Sequence, residues 1–300
     1  MKEFNYSFII PHKNCPDLLQ RCVDSIPERD DVQVIVVDDN SDDDKKPALT
    51  ERKGLEIVLL DASHSKGAGH ARNVGLEKAE GKWLLFPDAD DYYKEGFLEV
   101  LDQYKDTDDL DVVYFSSDYV DGSTGEPLQK LSVMRRIDQS SYTEEDVDII
   151  RHYNYPPWDK MVSLKLVREN ELYYEESING NDVLFSLFVG ALSKSIKIIN
   201  DSLYIYLRNP KGLTSSDNIE AQLCRINHVV KTNSYYRSIK HNEWKFPLLK
   251  TIVLKVRQLS IVGGTKLLLV LCARSKNIYQ NRNEWVAIIA KKISDETKRK

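Results

Sequence analysis

Short apolar runs recur through the first hundred residues, each closed by a polar cluster. Residues 6–10 (YSFII), 33–37 (QVIVV), 55–60 (LEIVLL) and 82–86 (KWLLF) have the length and continuity of strands buried on both faces. Between the first two, Leu18, Leu19, Cys22, Val23 and Ile26 recur at helical spacing behind Pro16, which suits a first helical turn. Residues 45–53 read as a short polar helix, and residues 66–79 as a Gly-containing loop that enters a helix. Strands alternating with helices predict a parallel α/β sheet. Further on, residues 110–115 read as a strand and 121–125 as a hairpin tip. Thr143 opens a helix over 143–152, with Asp146 at its third position, and residues 156–158 (PPW) break it. The pattern over 161–167 fits helix and strand equally. Residues 179–182 turn into an apolar helix, Val183–Leu192. Two strands follow, 196–199 and 203–206, and from residue 218 the pattern is helical.

In such sheets ligands gather at the carboxyl ends of the strands. The polar clusters fall at those ends: 11–14, 38–41, 61–70 and 88–91. The last is the densest. Pro87 stops the fourth strand, and Asp88, Asp90 and Asp91 follow. Extended backbone would point Asp88 and Asp90 the same way. Like charges held together are costly unless a cation lies between them, and hard oxygen ligands suit Mg²⁺ or Mn²⁺. The D-x-D spacing recurs at Asp42/Asp44, Asp106/Asp108, Asp109/Asp111 and Asp146/Asp148, so the motif alone carries little. Its place after a buried strand singles out this copy, with a solvated acidic turn as the alternative.

The net charge of −5 conceals an asymmetry: residues 240–300 carry +10 and the remainder −15. An anionic partner for the tail, a membrane surface or a nucleic acid, is one reading, and a solvated basic helical face is the other. Residues 251–272 are apolar apart from interruptions such as Lys255, Arg257 and Lys266, and Gly263-Gly264 divides them into two helices. Such helices can lie in a bilayer interface, cap the body or form a dimer interface. No run reaches the roughly 18 apolar residues of a membrane span. Cys15, Cys22, Cys224 and Cys272 form no C-x-x-C pair, so reduced thiols in the cytoplasm are the expectation.

The segments SFIIPHKN, VIVVDDNSDD, GAGHARNVGLEKAEGKWLLFPDADD, WDKMV, NGNDVLF and YLRNPKGLTSS occur in this order over residues 6–216. Together they resemble the family 2 inverting glycosyltransferases of bacterial surface-polysaccharide synthesis. The resemblance implies the GT-A fold: a Rossmann-like mixed α/β sheet flanked by helices, here over 1–217, with a helical, basic extension over 218–300. Residues 1–115 would be the nucleotide half and 116–217 the acceptor half. It further implies a nucleotide-sugar donor, a UDP-sugar first, a glycan or lipid-linked acceptor, Mn²⁺ or Mg²⁺, and no nucleic acid. Residence is expected in the cytoplasm, at the inner face of the plasma membrane if residues 240–300 bind anionic lipid. The oligomeric state stays open.

By the same resemblance Asp90 takes the metal, and Asp88 the metal or the ribose. Asp39 reads the base edge, Asp38 supports that loop, and Pro11 and His12 line the base pocket. Arg72 and Asn73 match A-R-N at a helix start and address phosphate or polar nucleotide groups; Arg72 paired with a cleft Asp is equally open. Arg208 and Lys211 belong to a loop that closes over the pyrophosphate, with Ser215 and Ser216 at its end. Trp158 and Lys160 match W-x-K on the acceptor side, where Trp158 either stacks on a sugar or plugs the core. Asp182 is the base that takes the acceptor proton, or only an N-cap. The preceding residue departs from the family pattern: Asn181 stands where Glu is usual.

Three other enzyme classes fit less well. G-x-G at Gly67–Gly69 follows the third strand instead of the first and has Arg72 in the sixth position, unlike a dinucleotide fingerprint. Gly75–Lys82 lacks P-loop spacing, and no Gly-rich loop follows strand one as a nucleotidyltransferase would want. A membrane-associated scaffold with altered catalysis is the non-enzymatic alternative, resting on Asn181 and the basic tail.

Overall fold

The computed structural model describes residues 4–107, 109–128, 142–177, 179–209, 219–241, 245–257, 259 and 263–271. The chain divides into two compact units, residues 1–176 with 181–209, and residues 177–180 with 210–300.

The first unit is a mixed α/β sheet of eight strands flanked by helices. In chain order it holds β1 (Tyr6–His12), α1 (Pro16–Asp24), β2 (Val32–Asp38), β3 (Leu55–Leu59), α2 (Ala68–Lys78), β4 (Trp83–Leu85), β5 (Tyr92–Tyr93) and α3 (Phe97–Asp102). Then come β6 (Val112–Asp121), α4 (Glu144–Tyr153), β7 (Lys160–Ser163), α5 (Leu164–Glu169), α6 (Val183–Leu192) and β8 (Ile196–Arg208). The strand order is β3-β2-β1-β4-β7-β6-β8-β5. The first four strands in chain order run parallel, and β7 is antiparallel to both its neighbours.

Every residue of β1 and β2 is buried, as expected for parallel strands covered on both faces. Tyr6, Phe8 and Ile10 join Val32, Val34 and Val36 against Leu19, Cys22 and Val23 of α1. On the opposite face α2 lies so close to β1 that a Cβ at Gly75 would meet Ile9 Cγ2 at 2.4 Å. Two polar residues sit inside this apolar stretch without penalty. Ser7 and Gln33 are register partners that bond to each other at 2.6 Å and to the backbone of Lys78, Glu80 and Gly81.

The expected helix over 45–53 does not form. Only Asp43–Lys45 makes a 3-10 turn, because Pro47 forces Lys46 out of helical geometry, to φ −62 and ψ 155. The segment 161–167 is both things in turn: β7 ends at Ser163, whose side chain caps α5. The two strands expected over 196–206 are one, β8, paired along its length with β6 through an irregularity near Ser116. Thr143 and Asp146 form the reciprocal capping box.

The second unit contains α7 (Ile219–Ser238), α8 (Leu248–Arg257) and a helix over 263–271. Leu223, Ile226 and Leu267 form its small core, joined by Leu248, Ile252 and Val256. No helix among the described residues is long and apolar enough to cross a membrane.

Candidate active site

The parallel register of β1 and β2 sets His12 opposite Asp38, and both are about 1% exposed. Asp38 meets His12 Nδ1 at 2.7 Å and also accepts the Ser41 hydroxyl and, at 3.0 Å, the Ser41 N–H. His12 Nε2 accepts the Cys15 N–H at 3.2 Å, which assigns the imidazole proton to Nδ1 and directs it to Asp38. The His12 ring is thus interior at the end of β1, with both nitrogens engaged. Pro11 is buried within β1. The carboxylate of Asp39 accepts N–H bonds from Lys66 at 3.1 Å and Gly67 at 3.2 Å, with Lys13 Nζ at 3.4 Å. Asp39 thus shapes the loop that leads into α2.

Arg72, 4% exposed, extends from α2 and ion-pairs with Asp88. Its second terminal nitrogen donates to Asn181 Oδ1 at 2.8 Å, and its plane lies 5.2 Å over the Tyr174 ring. Burial alone would pull the guanidinium pKa down, but Asp88, Tyr174 and Asp182 outweigh it and raise the value. The Asn73 amide brackets Tyr174, donating to its carbonyl at 2.9 Å and accepting its N–H at 2.7 Å, a clasp between α2 and the backbone at Tyr174. A Cβ at Gly69 would lie 2.0 Å from the Glu175 carbonyl, so glycine alone permits this approach.

After β4 the chain does not stay extended. The Asp91 N–H bonds the Asp88 carbonyl at 3.1 Å, closing a turn that collects three carboxylates, with one oxygen of each within 4.8 Å of the others. The Tyr204 hydroxyl, brought by β8, accepts the Asp88 N–H at 3.0 Å and donates to Asp91 Oδ2 at 3.0 Å. The other oxygen of Asp91 accepts the Leu207 N–H at 2.7 Å. Arg21 donates to the Asp90 carbonyl at 2.6 Å. Burial, then the charge of Asp88, pushes the Asp90 carboxyl up to about 6. Asp91, fully buried, is raised well above the usual carboxylate range by burial and then by Asp88 and Asp90. Three carboxylates gathered this closely offer the hard-oxygen donor set of a divalent-cation site. Asp88 and Asp90 are the partly exposed members, whereas Asp91 is anchored inward.

Asp182 is the N-cap residue of α6, yet its side chain makes no capping bond. Its charge acts on Arg72, Lys160 and Tyr174. Trp158 is half-buried and stacks on Tyr206 (5.2 Å, 18°) and Tyr204 (6.0 Å, 16°), continuing an aromatic series through Tyr93 to Phe97 and Phe8. Lys160 is 1% exposed, pairs with Asp159 at 3.2 Å and donates to the carbonyls of Asn154 and Pro156. Burial lowers its pKa, with Asp159 opposing. Lys160 of the W-x-K segment is thus interior, held by Asp159 and two backbone carbonyls. Arg208 is exposed at the end of β8; Lys211, Ser215 and Ser216 lie outside the described residues.

Sequence reasoning passed over Tyr204, Arg21 and Tyr174. Nothing in an apolar strand run marks a tyrosine hydroxyl that will reach two acids across the sheet. Ser41 had a signal, since D-x-x-S at a strand end favours a side-chain turn onto the acid.

The sequence profile of glycosyl transferase family 2 matches residues 7–162. The chain is 26% identical over 220 residues to the uncharacterized glycosyltransferase EpsJ of Bacillus subtilis, covering 69% of this chain and 62% of EpsJ. Identity is also 26% over 220 residues to the poly(ribitol-phosphate) beta-N-acetylglucosaminyltransferase TarS of Staphylococcus aureus, of which 36% is covered and 69% of this chain. The chain thus spans under two thirds of either relative. In structure it is similar to S. aureus TarS 1-349 in complex with UDP-GlcNAc, with a TM-score of 0.58, 18% identity, and coverage of 99% of this chain and 92% of that one. It is also similar to the mannosyltransferase PcManGT of Pyrobaculum calidifontis in complex with GDP-Man and Mn²⁺, with a TM-score of 0.51, 15% identity, and coverage of 97% and 80%.

Proposed function

The chain belongs to glycosyl transferase family 2, and from that premise we propose that it moves a sugar, with inversion, from a nucleotide-sugar to a hydroxyl of a glycan or lipid-linked acceptor in bacterial surface-polysaccharide synthesis. The observation that carries the reading is the turn of Asp88, Asp90 and Asp91 beside the buried Arg72, with Asp182 in electrostatic reach of the same arginine.

Asp88 and Asp90 are the residues that would hold Mn²⁺ or Mg²⁺, which when bound neutralises charge on a diphosphate leaving group. Arg72 holds Asp88 in place and keeps a positive charge beside the cluster. Asp182 takes the proton of the acceptor hydroxyl as that oxygen attacks the sugar carbon and the donor C–O bond breaks. Trp158 presents an aromatic face held parallel to Tyr204 and Tyr206, and sugar rings pack on such faces. Arg208 and Lys211 are proposed to screen the pyrophosphate. A UDP-sugar is the first donor to test, since TarS is solved with UDP-GlcNAc; GDP- and dTDP-sugars follow.

A thermal-shift and turnover screen of these donors, with and without Mn²⁺, tests the reading. Binding to the native state raises the melting temperature by mass action. A chain that neither gains stability nor turns over any of the donors is not an active transferase, and the scaffold reading then takes over.

A further inference from the structure

We propose that the outer face of the C-terminal helical unit is a docking surface for an anionic lipid bilayer. This surface is independent of the transfer reaction. In α8 the inward residues Leu248, Ile252 and Val256 pack on the core of Leu223, Ile226 and Leu267. The apolar demand of the fold is met on that side. Three other apolar residues of α8 are nevertheless exposed: Leu249 is 77% exposed, Val253 44% and Leu254 49%. The helix over 263–271 repeats the arrangement, with Leu268 45% and Leu269 65% exposed. The two helices approach closely, since a Cβ at Gly264 would lie 3.1 Å from Val256 Cγ1.

The cations decide the occupant. Lys250, Arg257 and Lys266 are exposed on these same helices, and residues 244–271 contain five Lys/Arg and no Asp or Glu. A second copy of the face would bring like charges together around its leucines. A nucleic acid would meet leucines where stacking platforms are needed. An anionic bilayer takes both components: leucines enter the acyl boundary and the cations remain among the headgroups. Each cation near such a leaflet strengthens binding about fivefold.

The test is co-sedimentation of the full chain with vesicles of phosphatidylcholine alone or mixed with phosphatidylglycerol, at low and high salt. Expected is partition to the mixed vesicles that high salt weakens by about tenfold or more. Leu249→Glu with Leu254→Glu and Leu269→Glu should abolish it. The triple variant Lys250→Gln, Arg257→Gln, Lys266→Gln, which leaves the apolar residues intact, should weaken it by about a hundredfold. Melting curves confirm that each variant is folded. Absent binding, equal binding to both vesicle types, or binding unchanged in the folded variants would overturn the proposal. So would a loss of self-association in the leucine variant without loss of vesicle binding, which assigns the face to a second copy.

Discussion

At the end of β2, Asp38 and Asp39 are surrounded by groups that donate to them: His12, the Ser41 hydroxyl and N–H, and the N–H groups of Lys66 and Gly67. At the turn after β4, Asp88, Asp90 and Asp91 crowd one another, and Asp90 and Asp91 are pushed toward their protonated forms. The two clusters contain the same residue type at corresponding ends of parallel strands. Their partners differ. Donors supplied by the chain offset the charge at the first cluster, whereas at the second Arg72 and Tyr204 reach Asp88 and Asp91 and the Asp90 carboxyl is left among acids.

Four perturbations test this contrast, the largest effect first. Asp90→Ala should lower Mn²⁺-stimulated turnover about 10³-fold or more while leaving the melting temperature no lower, read by donor turnover and circular dichroism. Undiminished Mn²⁺ stimulation in that variant would remove the metal assignment. Asp182→Asn should slow transfer by about 10²–10⁴ with donor affinity retained. A wild-type rate would reduce Asp182 to a spacer before α6.

The reverse outcome is expected at the first cluster. Asp38→Ala strands the buried His12 N–H and the Ser41 donors and should destabilise the fold by about 3 kcal/mol in urea melts. A loss below about 1 kcal/mol would mean that the network is dispensable. The last effect is one of pH. The Asp90 carboxyl is raised to about 6, above its unfolded value of 3.8, so the ionised form opposes folding. In chelator-treated protein Asp90→Asn should therefore stabilise by about 3 kcal/mol at neutral pH. That gain fades as pH falls through about 6 and vanishes below about 4, where wild type is protonated in both states. A difference between the two proteins that does not change with pH would remove the raised carboxyl.

Much of this was legible beforehand. The alternation of apolar runs gave the parallel half of the sheet, because continuous burial leaves a continuous hydrophobic record. The acidic turn stood out by its charge after a buried strand, and Arg72 by its match to A-R-N at a helix start. The bonds of Asn73 and His12 were not legible: both look like polar loop residues, and only the register of β1 with β2 and the distant arrival of Tyr174 supply the partners. The burial of Lys160 was hidden for a related reason: a lysine is rarely interior unless an acid such as Asp159 accompanies it, and adjacency in sequence does not announce the pair. Residues 45–53 failed because composition outvoted a single proline.

The tyrosine that steadies the acidic turn lies 116 residues downstream of Asp88. During synthesis at roughly 5–20 residues per second, the turn leaves the ribosome roughly 6–23 s before either of its β8 anchors exists. Three clustered acids must wait through that interval without Tyr204 or Leu207, while β6 also lacks its long parallel partner. The nascent chain therefore acquires its order at the acidic turn late, in a step set by β8. Ribosome-bound chains halted before residue 204 should remain protease-sensitive at residues 88–91 and become protected once β8 has emerged; protection already present in the shorter chains would show that the turn orders without it.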